Sequence, residues 1–445
     1  MKKYISLIVI TFFSLFVVSC TLEQSNEIND KQFSEYVVKT AKKDLESNKN
    51  QTSEYDTFLK KVQCFSYELS TELYEDNEKE QNFVVSPISI YMALAMTAEA
   101  ASDNSRDEIL NALGVTYEEM NEYTKYLYSA SNRKFSGQGY FDNTVIQGYE
   151  DLNNSIWVDE NVALNEMALE SLANNYYVST YKVPFLSKPK EAADVLRKYI
   201  KEVTHGLIDK EYQFSNETIF TILNTYYLKD IWDESGHELK FTKEFYEFIN
   251  YDNSVENIKL LTGYYLDCKP YVTEKYSFAS TKTNNGFYLK FIVPNDGYSI
   301  DDVYTKDFLE EVNNLNNYLA VDNERREYNH TRCLFPEFDA EYDNDIKETL
   351  SEEFGIKDIF DIKTANLSNL VSGSAYIDQI SHQTKLIVNS YGIEGAAVTS
   401  ITSCGAAGPG PYVDVYHDFV VDKSFAFMIT NYKGTVLFSG VIKNV

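Results

Sequence analysis

Read at the two spacings that regular structure imposes, the chain alternates between helical and extended stretches. Phe58, Val62, Phe65, Leu69 and Leu73 recur at helical spacing, which predicts a first core helix over Phe58 to Tyr74. The stretch Asn82-Phe-Val-Val-Ser-Pro-Ile-Ser-Ile-Tyr-Met-Ala-Leu-Ala-Met-Thr-Ala-Glu-Ala-Ala101 predicts a short strand that passes through Ser86-Pro87 into a helix of small residues. Pro87 suits the first helical position and Ser86 the cap before it. Leu152 to Val158 and Tyr181 to Phe185 flank a helical stretch. Ile222 to Trp232 is a continuous apolar run with Asn224 embedded in it, the pattern of a strand buried on both faces. Phe425 to Ile429 and Val436 to Ile442 predict two strands joined through a polar turn at Tyr432-Lys-Gly434. No internal repeat interrupts this order, and no second domain is needed.

One stretch fits neither pattern alone. In Ser390-Tyr-Gly-Ile-Glu-Gly-Ala-Ala-Val-Thr-Ser-Ile-Thr-Ser-Cys-Gly-Ala-Ala-Gly-Pro-Gly-Pro411, a two-residue period puts Ile393, Gly395, Ala397, Thr399, Ile401 and Ser403 on one face, small or apolar and uncharged. Glu394, the only charge, falls on the other. Val398 to Thr402 is mostly β-branched, which favours extended pairing. Gly392, Gly405, Gly408, Pro409, Gly410 and Pro411 are loop formers. The segment therefore reads as a loop that can become a strand, although an ordinary glycine-rich surface loop has the same composition.

Composition narrows the function. The chain has 445 residues, 44% of them hydrophobic, enough to bury a sizeable core in one large mixed α/β domain with a tail. A net charge of -28 without any basic cluster argues against nucleic acid or an anionic membrane surface as an electrostatic partner. Lys2 and Lys3 precede an apolar run from Ile5 to Val18, short for a membrane span and suited to a secretory signal. It ends in Val17-Val18-Ser19-Cys20, which resembles a bacterial lipobox. The expectation is a signal peptide over 1–19, a lipidated Cys20 and a cell-surface lipid anchor, against the alternative of a plain signal peptide and secretion. Residues 20–57, rich in Glu, Asn, Lys, Ser and Asp, read as a polar spacer with room for a short amphipathic helix, and 58–445 as the folded domain. The other cysteines, Cys64, Cys268, Cys333 and Cys404, show no Cys-x-x-Cys spacing and are expected mostly as free thiols.

Catalytic signatures are missing: there is no G-x-S-x-G, P-loop, G-x-G-x-x-G or H-E-x-x-H, and His205, His237, His330, His382 and His417 are scattered. Neither an enzyme nor a cofactor or metal site is expected. His382 lies in an apolar strand and reads as a satisfied core histidine.

Several stretches share one likeness. Gly392-Ile-Glu-Gly-Ala-Ala397, Asn82 to Ala101, Ser105-Arg-Asp-Glu-Ile-Leu-Asn-Ala-Leu-Gly114, Thr204-His-Gly-Leu-Ile208, Ile222 to Trp232, Leu334-Phe-Pro-Glu-Phe338, Gly355-Ile-Lys-Asp-Ile-Phe360, Ala365-Asn-Leu-Ser368 and His382 to Asn389 resemble serpin motifs, in that family's order. The resemblance runs from Phe58 to Val445. It implies an α+β fold with a large mixed central β-sheet, smaller sheets, packed helices and an exposed reactive-centre loop. It implies a hinge at Gly392, Ile393, Glu394, Gly395, Ala396, Ala397 and Val398, and a sheet-opening region at Ser86, Ser89, Asn224, Trp232 and His382. Counting from the hinge puts the reactive bond at Ala406-Ala407; counting back from Phe425 lands near Val413, with Tyr412 as a rival.

The implied activity is that of a suicide substrate. A protease serine attacks the loop, forming a covalent acyl-enzyme; the cleaved loop then enters the central sheet and carries the enzyme with it. About 14 inserted residues would make a strand of roughly 46 Å. The implied partner is a serine protease, elastase-like or subtilisin-like because the loop is small-residued and lacks Lys and Arg, with a cysteine protease as second candidate and the inhibitor a monomer. Three departures stand out: Ile393 replaces the usual Thr or Ser, Gly395 the common Ala, and Ser390 the usual Glu, which would remove a salt bridge. The alternative is a non-inhibitory surface lipoprotein that binds a partner without trapping protease.

Overall fold

The computed structural model describes residues 30–45, 52–77, 81–138, 145–214, 218–232, 238–315, 320–322, 324–377, 380–394 and 412–445. Cys20, the signal-type run, Gly395, Ala396, Ala397, Val398, Cys404, Ala406 and Ala407 lie outside the described residues. The chain divides into a unit 1–35, holding the one-turn helix α1 (Asp30–Phe33), and a unit 36–445 that contains everything below.

The helices of the larger unit are α2 (Ser53–Glu75), α3 (Pro87–Ala100), α4 (Asp103–Leu113), α5 (Tyr117–Ala130), α6 (Glu166–Asn175), α7 (Pro189–Val203), α8 (Lys306–Asn314) and α9 (Lys347–Glu352). The first begins earlier than its apolar spacing predicts. Thr52 caps it by accepting from the Tyr55 amide at 3.3 Å, and Glu54 and Asp56 in the first turn complement the helix dipole. Phe58, Val62, Phe65, Leu69 and Leu73 all face the core. In α3 every residue except Ala93 is buried, which is why this helix is built from small and apolar residues throughout. Pro87 does start it, but the Ser86 side chain makes no capping hydrogen bond, so its expected cap role is only positional.

Strands numbered in chain order form three sheets and a hairpin. The eight-stranded central sheet runs β1 (Val37–Lys39), β5 (Val178–Val183), β4 (Val145–Asp159), β6 (Phe220–Ile231), β18 (Gly392–Ile393), β17 (Ser381–Val388), β16 (Phe338–Asp345), with β3 (Asn132–Gln138) also on β4. It is mixed: β4 and β5 are parallel, the other pairs antiparallel. A five-stranded sheet holds β14 (Val321–Asp322), β15 (Glu327–Phe335), β10 (Leu261–Thr262) and β7 (Lys240–Phe241), with β19 (Val413–Val420) on β15. A six-stranded sheet runs β11 (Tyr271–Val272), β12 (Tyr276–Lys282), β13 (Tyr288–Pro294), β20 (Phe425–Thr430), β21 (Val436–Ile442), β2 (Phe83–Val85). The hairpin is β8 (Tyr246–Ile249) with β9 (Val255–Ile258).

Two sequence expectations need correction here. Residues expected as spacer contribute β1, in which Val37 and Lys39 register against Tyr181 and Thr180, and the Tyr36 carbonyl accepts from Lys182 N at 2.7 Å. The β-branched pair Val37-Val38 suits that edge. The second is β6, which is not buried on both faces: Thr221, Ile222, Leu223 and Asn224 are half-buried.

Candidate functional site

Gly392 and Ile393 are wedged between two strands. Gly392 pairs with Ile231 and Ile393 with Asp230 on β6, while Ile393 also pairs with Val388 on β17. The reversal from β17 is made by Asn389, whose side-chain oxygen accepts from Tyr391 N at 2.9 Å and Gly392 N at 3.3 Å, the turn chemistry asparagine favours. A Cβ on Gly392 would collide with the Asp230 carbonyl, so only glycine lets the chain lie this close to β6. Ile393 is fully buried. Below these two residues β6 and β17 have no ladder to each other among the described residues; β18 is their shared neighbour.

Glu394 follows the wedged pair. Its φ of 33° is left-handed, an uncomfortable conformation for a residue with a Cβ. Its amide reaches back to the Ile387 carbonyl at 3.0 Å, and Oε1 accepts from the Tyr227 hydroxyl at 3.3 Å. Burial pushes its carboxyl pKa up, against the pull of Lys229, and Oε2 is buried without a hydrogen-bond partner. Tyr227 is in turn covered by His205, with ring centroids 4.3 Å apart, and His205 Nε2 faces Asp151 Oδ2 at 3.2 Å.

The top of the sheet closes around the turn. Trp232 donates its indole N–H to the Asn389 carbonyl at 2.7 Å and packs on Phe335, centroids 5.5 Å apart. Ser390 is buried; its amide donates to Glu337 Oε1 at 2.7 Å and its carbonyl accepts from Leu239 N at 2.8 Å. Asp230 is buried beside them and accepts from the Asn285 amide at 3.0 Å and side chain at 2.6 Å, while burial raises its pKa. Nothing in the sequence marks this last pair, whose members lie 55 positions apart.

Deeper in the sheet, buried His382 accepts at Nε2 from the Ser86 amide at 3.2 Å and meets Thr384 Oγ1 at 2.6 Å. Nε2 is therefore the unprotonated nitrogen, and burial pulls the imidazole pKa down to about 3. Ser89 Oγ donates to Asn224 Oδ1, Asn224 Nδ2 to Asn154 Oδ1, and Asn154 Nδ2 to the Tyr176 carbonyl at 2.6 Å. Sequence reasoning singled out Ser89 and Asn224 but missed Asn154, whose signal is an asparagine pair, Asn153-Asn154, inside an otherwise strand-like run. Ser86, Ser89, Asn224 and His382 thus belong to one polar layer, and Trp232 to a separate cluster at the turn.

After α7 the chain crosses the face of β16 and β17. Lys210 pairs with Glu341 and with Asp343 at 2.9 Å, and Tyr212 bonds Gln383. A cavity of about 190 Å³ lies under this strap, lined by Leu207, Ile208, Lys210, Tyr342 and Thr384 among others. No cluster among the described residues has the make-up of a metal site, and no described helix is long and apolar enough to cross a membrane. Cys64, Cys268 and Cys333 are free thiols.

Comparisons with known proteins agree with this geometry. The family described as Serpin (serine protease inhibitor) matches residues 60–445. An uncharacterised serpin-like protein of Methanosarcina acetivorans is 25% identical over 393 residues, covering 86% of this chain and 84% of its own. Human neuroserpin is 24% identical over 382 residues, 81% of this chain and 86% of that protein. The crystal structure of the thermophilic serpin tengpin in the native state superposes with a TM-score of 0.70 at 21% identity, covering 91% of this chain and 97% of tengpin.

Proposed function

We propose, on the premise that the chain belongs to the serpin family, that this inhibitor of serine proteases acts as a suicide substrate on elastase-like or subtilisin-like enzymes. The observation that carries the reading is β18: the first residues of the loop already occupy the gap between β6 and β17. Continuing their register would set Gly395 between Leu228 and Leu386, Ala397 between Tyr226 and Thr384, and Thr399 between Asn224 and His382. The inward face of β17, with His382, Thr384, Leu386 and Val388 buried, accepts small or apolar partners, which is what that face of the loop offers. Each inserted residue exchanges solvated backbone for ladder hydrogen bonds worth about 0.5–1.5 kcal/mol apiece. A dozen such steps amount to several kcal/mol, available to move a covalently attached enzyme before its acyl bond is hydrolysed.

In this reading the protease serine attacks the carbonyl of Ala406, and the new amine is that of Ala407. The rival position near Tyr412 is disfavoured because Val413 N already donates to the Arg326 carbonyl at 2.9 Å, and the eight residues Val413 to Val420 are paired along β15. A protease cleft binds an extended, unpaired segment, so the cut belongs upstream of that ladder. The absence of Lys and Arg between Ser390 and Asp422 disfavours trypsin-like enzymes, and a cysteine protease could attack the same bond. The protein would act as a monomer held at the cell surface through acyl chains on Cys20, since several chains give stable anchoring where one does not.

Mixing the protein with elastase or subtilisin should give an SDS-stable band of the two together and a released C-terminal fragment that begins at Ala407 by mass spectrometry. Cleavage without that band would replace this reading with the non-inhibitory one. Metabolic labelling with an acyl-chain analogue should mark the parent and not Cys20→Ala.

A further inference from the structure

The turn between β12 and β13 carries a reactive pair that the proposed mechanism does not use. Asn285 is the only asparagine in the chain that is followed directly by glycine, Gly286. Such a pair can rearrange without any enzyme, because glycine has no Cβ to keep its nitrogen away from the asparagine side chain. The Gly286 nitrogen attacks the side-chain carbonyl carbon of Asn285. The new N–C bond forms as the bond to Nδ2 breaks, and the proton of the glycine amide leaves with the departing ammonia. Water then opens the cyclic imide at either carbonyl, giving aspartate or isoaspartate. Amide and water become acid and ammonia, and nothing else is consumed.

In the folded protein both partners in this step are engaged. Asp230, fully buried near the end of β6, bridges the asparagine: Oδ2 accepts from its main-chain N–H at 3.0 Å and Oδ1 from Nδ2 at 2.6 Å. Ile231 N also donates to Oδ1, at 2.9 Å, so the donors around Asp230 match a carboxylate. The Gly286 N–H is spent on the Thr283 carbonyl at 3.2 Å. On its other side the Asn285 amide lies against β4, where a Cβ on Gly148 would stand 3.3 Å from Nδ2. The turn is not sealed, however. Asn285 and Gly286 are half-buried, and a Cβ on Gly286 would meet nothing within 4 Å. Water reaches the pair, so the hold of Asp230 is what keeps the side chain from turning onto the glycine nitrogen.

We propose that Asn285-Gly286 is a self-modification site kept shut by Asp230, and that its conversion unfastens the turn from β6. Loss of the Nδ2 donor sets a second carboxylate on Asp230 at hydrogen-bond distance, where two like charges cannot both be held. The isoaspartate product adds a carbon to the main chain of a tight turn whose Asn284 N–H bonds the Ile231 carbonyl at 2.8 Å. Asp230 and Ile231 are the residues that pair with Ile393 and Gly392. The mark therefore falls on the seat of the hinge, and a molecule that has acquired it does not recover the original fit. This chemistry stands whether or not the protein traps proteases.

Peptide mapping of the full chain after incubation in mildly alkaline buffer, with aspartate and isoaspartate resolved by chromatography, tests the site. Unfolded in urea, the parent should convert Asn285 ahead of every other asparagine. Folded, it should convert Asn285 more slowly than exposed Asn253, which precedes Ser254 and serves as the internal reference. Asp230→Ala removes both acceptors and should convert Asn285 about tenfold faster than the folded parent, the scale of one hydrogen bond to a charged group. Asp230→Asn, closer in shape and safer for folding, should also accelerate it. Buried Asn154, which precedes Ser155, should stay unconverted in every folded variant, and this separates local release from general unfolding. Asn285→Asp, which copies one product, should move the emission of neighbouring Trp232 to the red. Conversion of folded Asn285 ahead of Asn253, equal or slower conversion in both Asp230 variants, or unmoved emission in Asn285→Asp would each overturn the proposal.

Discussion

Replacing Ile393 by Glu should drive the hinge out of the sheet. The Ile393 side chain is fully buried between Asp230 and Val388, and its removal from that site forfeits about 1.5–3 kcal/mol of apolar burial. Keeping the hinge in place would instead bury an unpaired carboxylate, a further penalty of several kcal/mol. The sum, about 4–6 kcal/mol, corresponds to a factor of roughly 10³–10⁴ against the inserted hinge. The rest of the molecule should stay folded, since an exposed hinge tolerates Glu. Tryptophan emission gives the readout. The chain has two tryptophans. Trp157 is fully buried and donates its indole N–H to Ser155 at 2.9 Å, far from the hinge in the register of the sheet. Trp232 bonds the very turn that would move. Emission should shift to the red in Ile393→Glu and stay put in Ile393→Val. On mixing with protease, Ile393→Glu should be cut mainly as a substrate, because the first residue to be buried is now charged. Unchanged emission together with undiminished complex formation would refute the argument that Ile393 anchors the loop.

Three other outcomes follow from the same geometry. Gly392→Ala should displace the hinge too, through collision with the Asp230 carbonyl, and should give the Trp232 shift without adding charge; an unshifted spectrum would show that β6 can yield. His382 is held neutral when folded, with its pKa pulled from 6.5 to about 3, so its contribution is intact above the unfolded value and is lost as pH falls from 6.5 towards 3, by about 5 kcal/mol in all. The thermal midpoint should drop across that window and drop less in His382→Gln. Lys290 is buried with only the Asn313 side chain accepting from it, at 2.7 Å, and its pKa is pulled from 10.5 down to about 7. The unfolded lysine stays charged to higher pH, so stability should rise between pH 7 and 10.5, and Lys290→Met should be the more stable protein at neutral pH, by about 1–3 kcal/mol after the loss of Asn313's donor; urea titration at the two pH values measures both effects.

Elements whose periodicity is strong were legible in the sequence. The face of α2 carrying Phe58, Val62, Phe65, Leu69 and Leu73 is the buried face. What stayed hidden depends on pairings across long stretches of chain. Val37 to Lys39 is too short to carry a period and becomes a strand only because β5 offers it an edge. Asn154 looks like any polar residue until β6 brings Asn224 against it. Asp230 and Asn285 have no signal in one dimension, and neither has the placing of His330 between Asp267 and Asp414, whose partners lie 63 and 84 positions away.

The stretch where β6 and β17 share no ladder has a consequence for the protein at high concentration. Among the described residues the facing edges of β6 and β17 below β18 have no strand beside them, and a strand edge can pair with any extended peptide that reaches it, including one from a neighbouring molecule. The net charge of -28 works against such meetings, because like-charged molecules repel over about 10 Å at 0.1 M salt and less as salt rises. The acidic surface is thus a colloidal safeguard for those strand edges, and added electrolyte, which leaves the strands as they are, shortens the time for which a concentrated solution of this protein stays monodisperse.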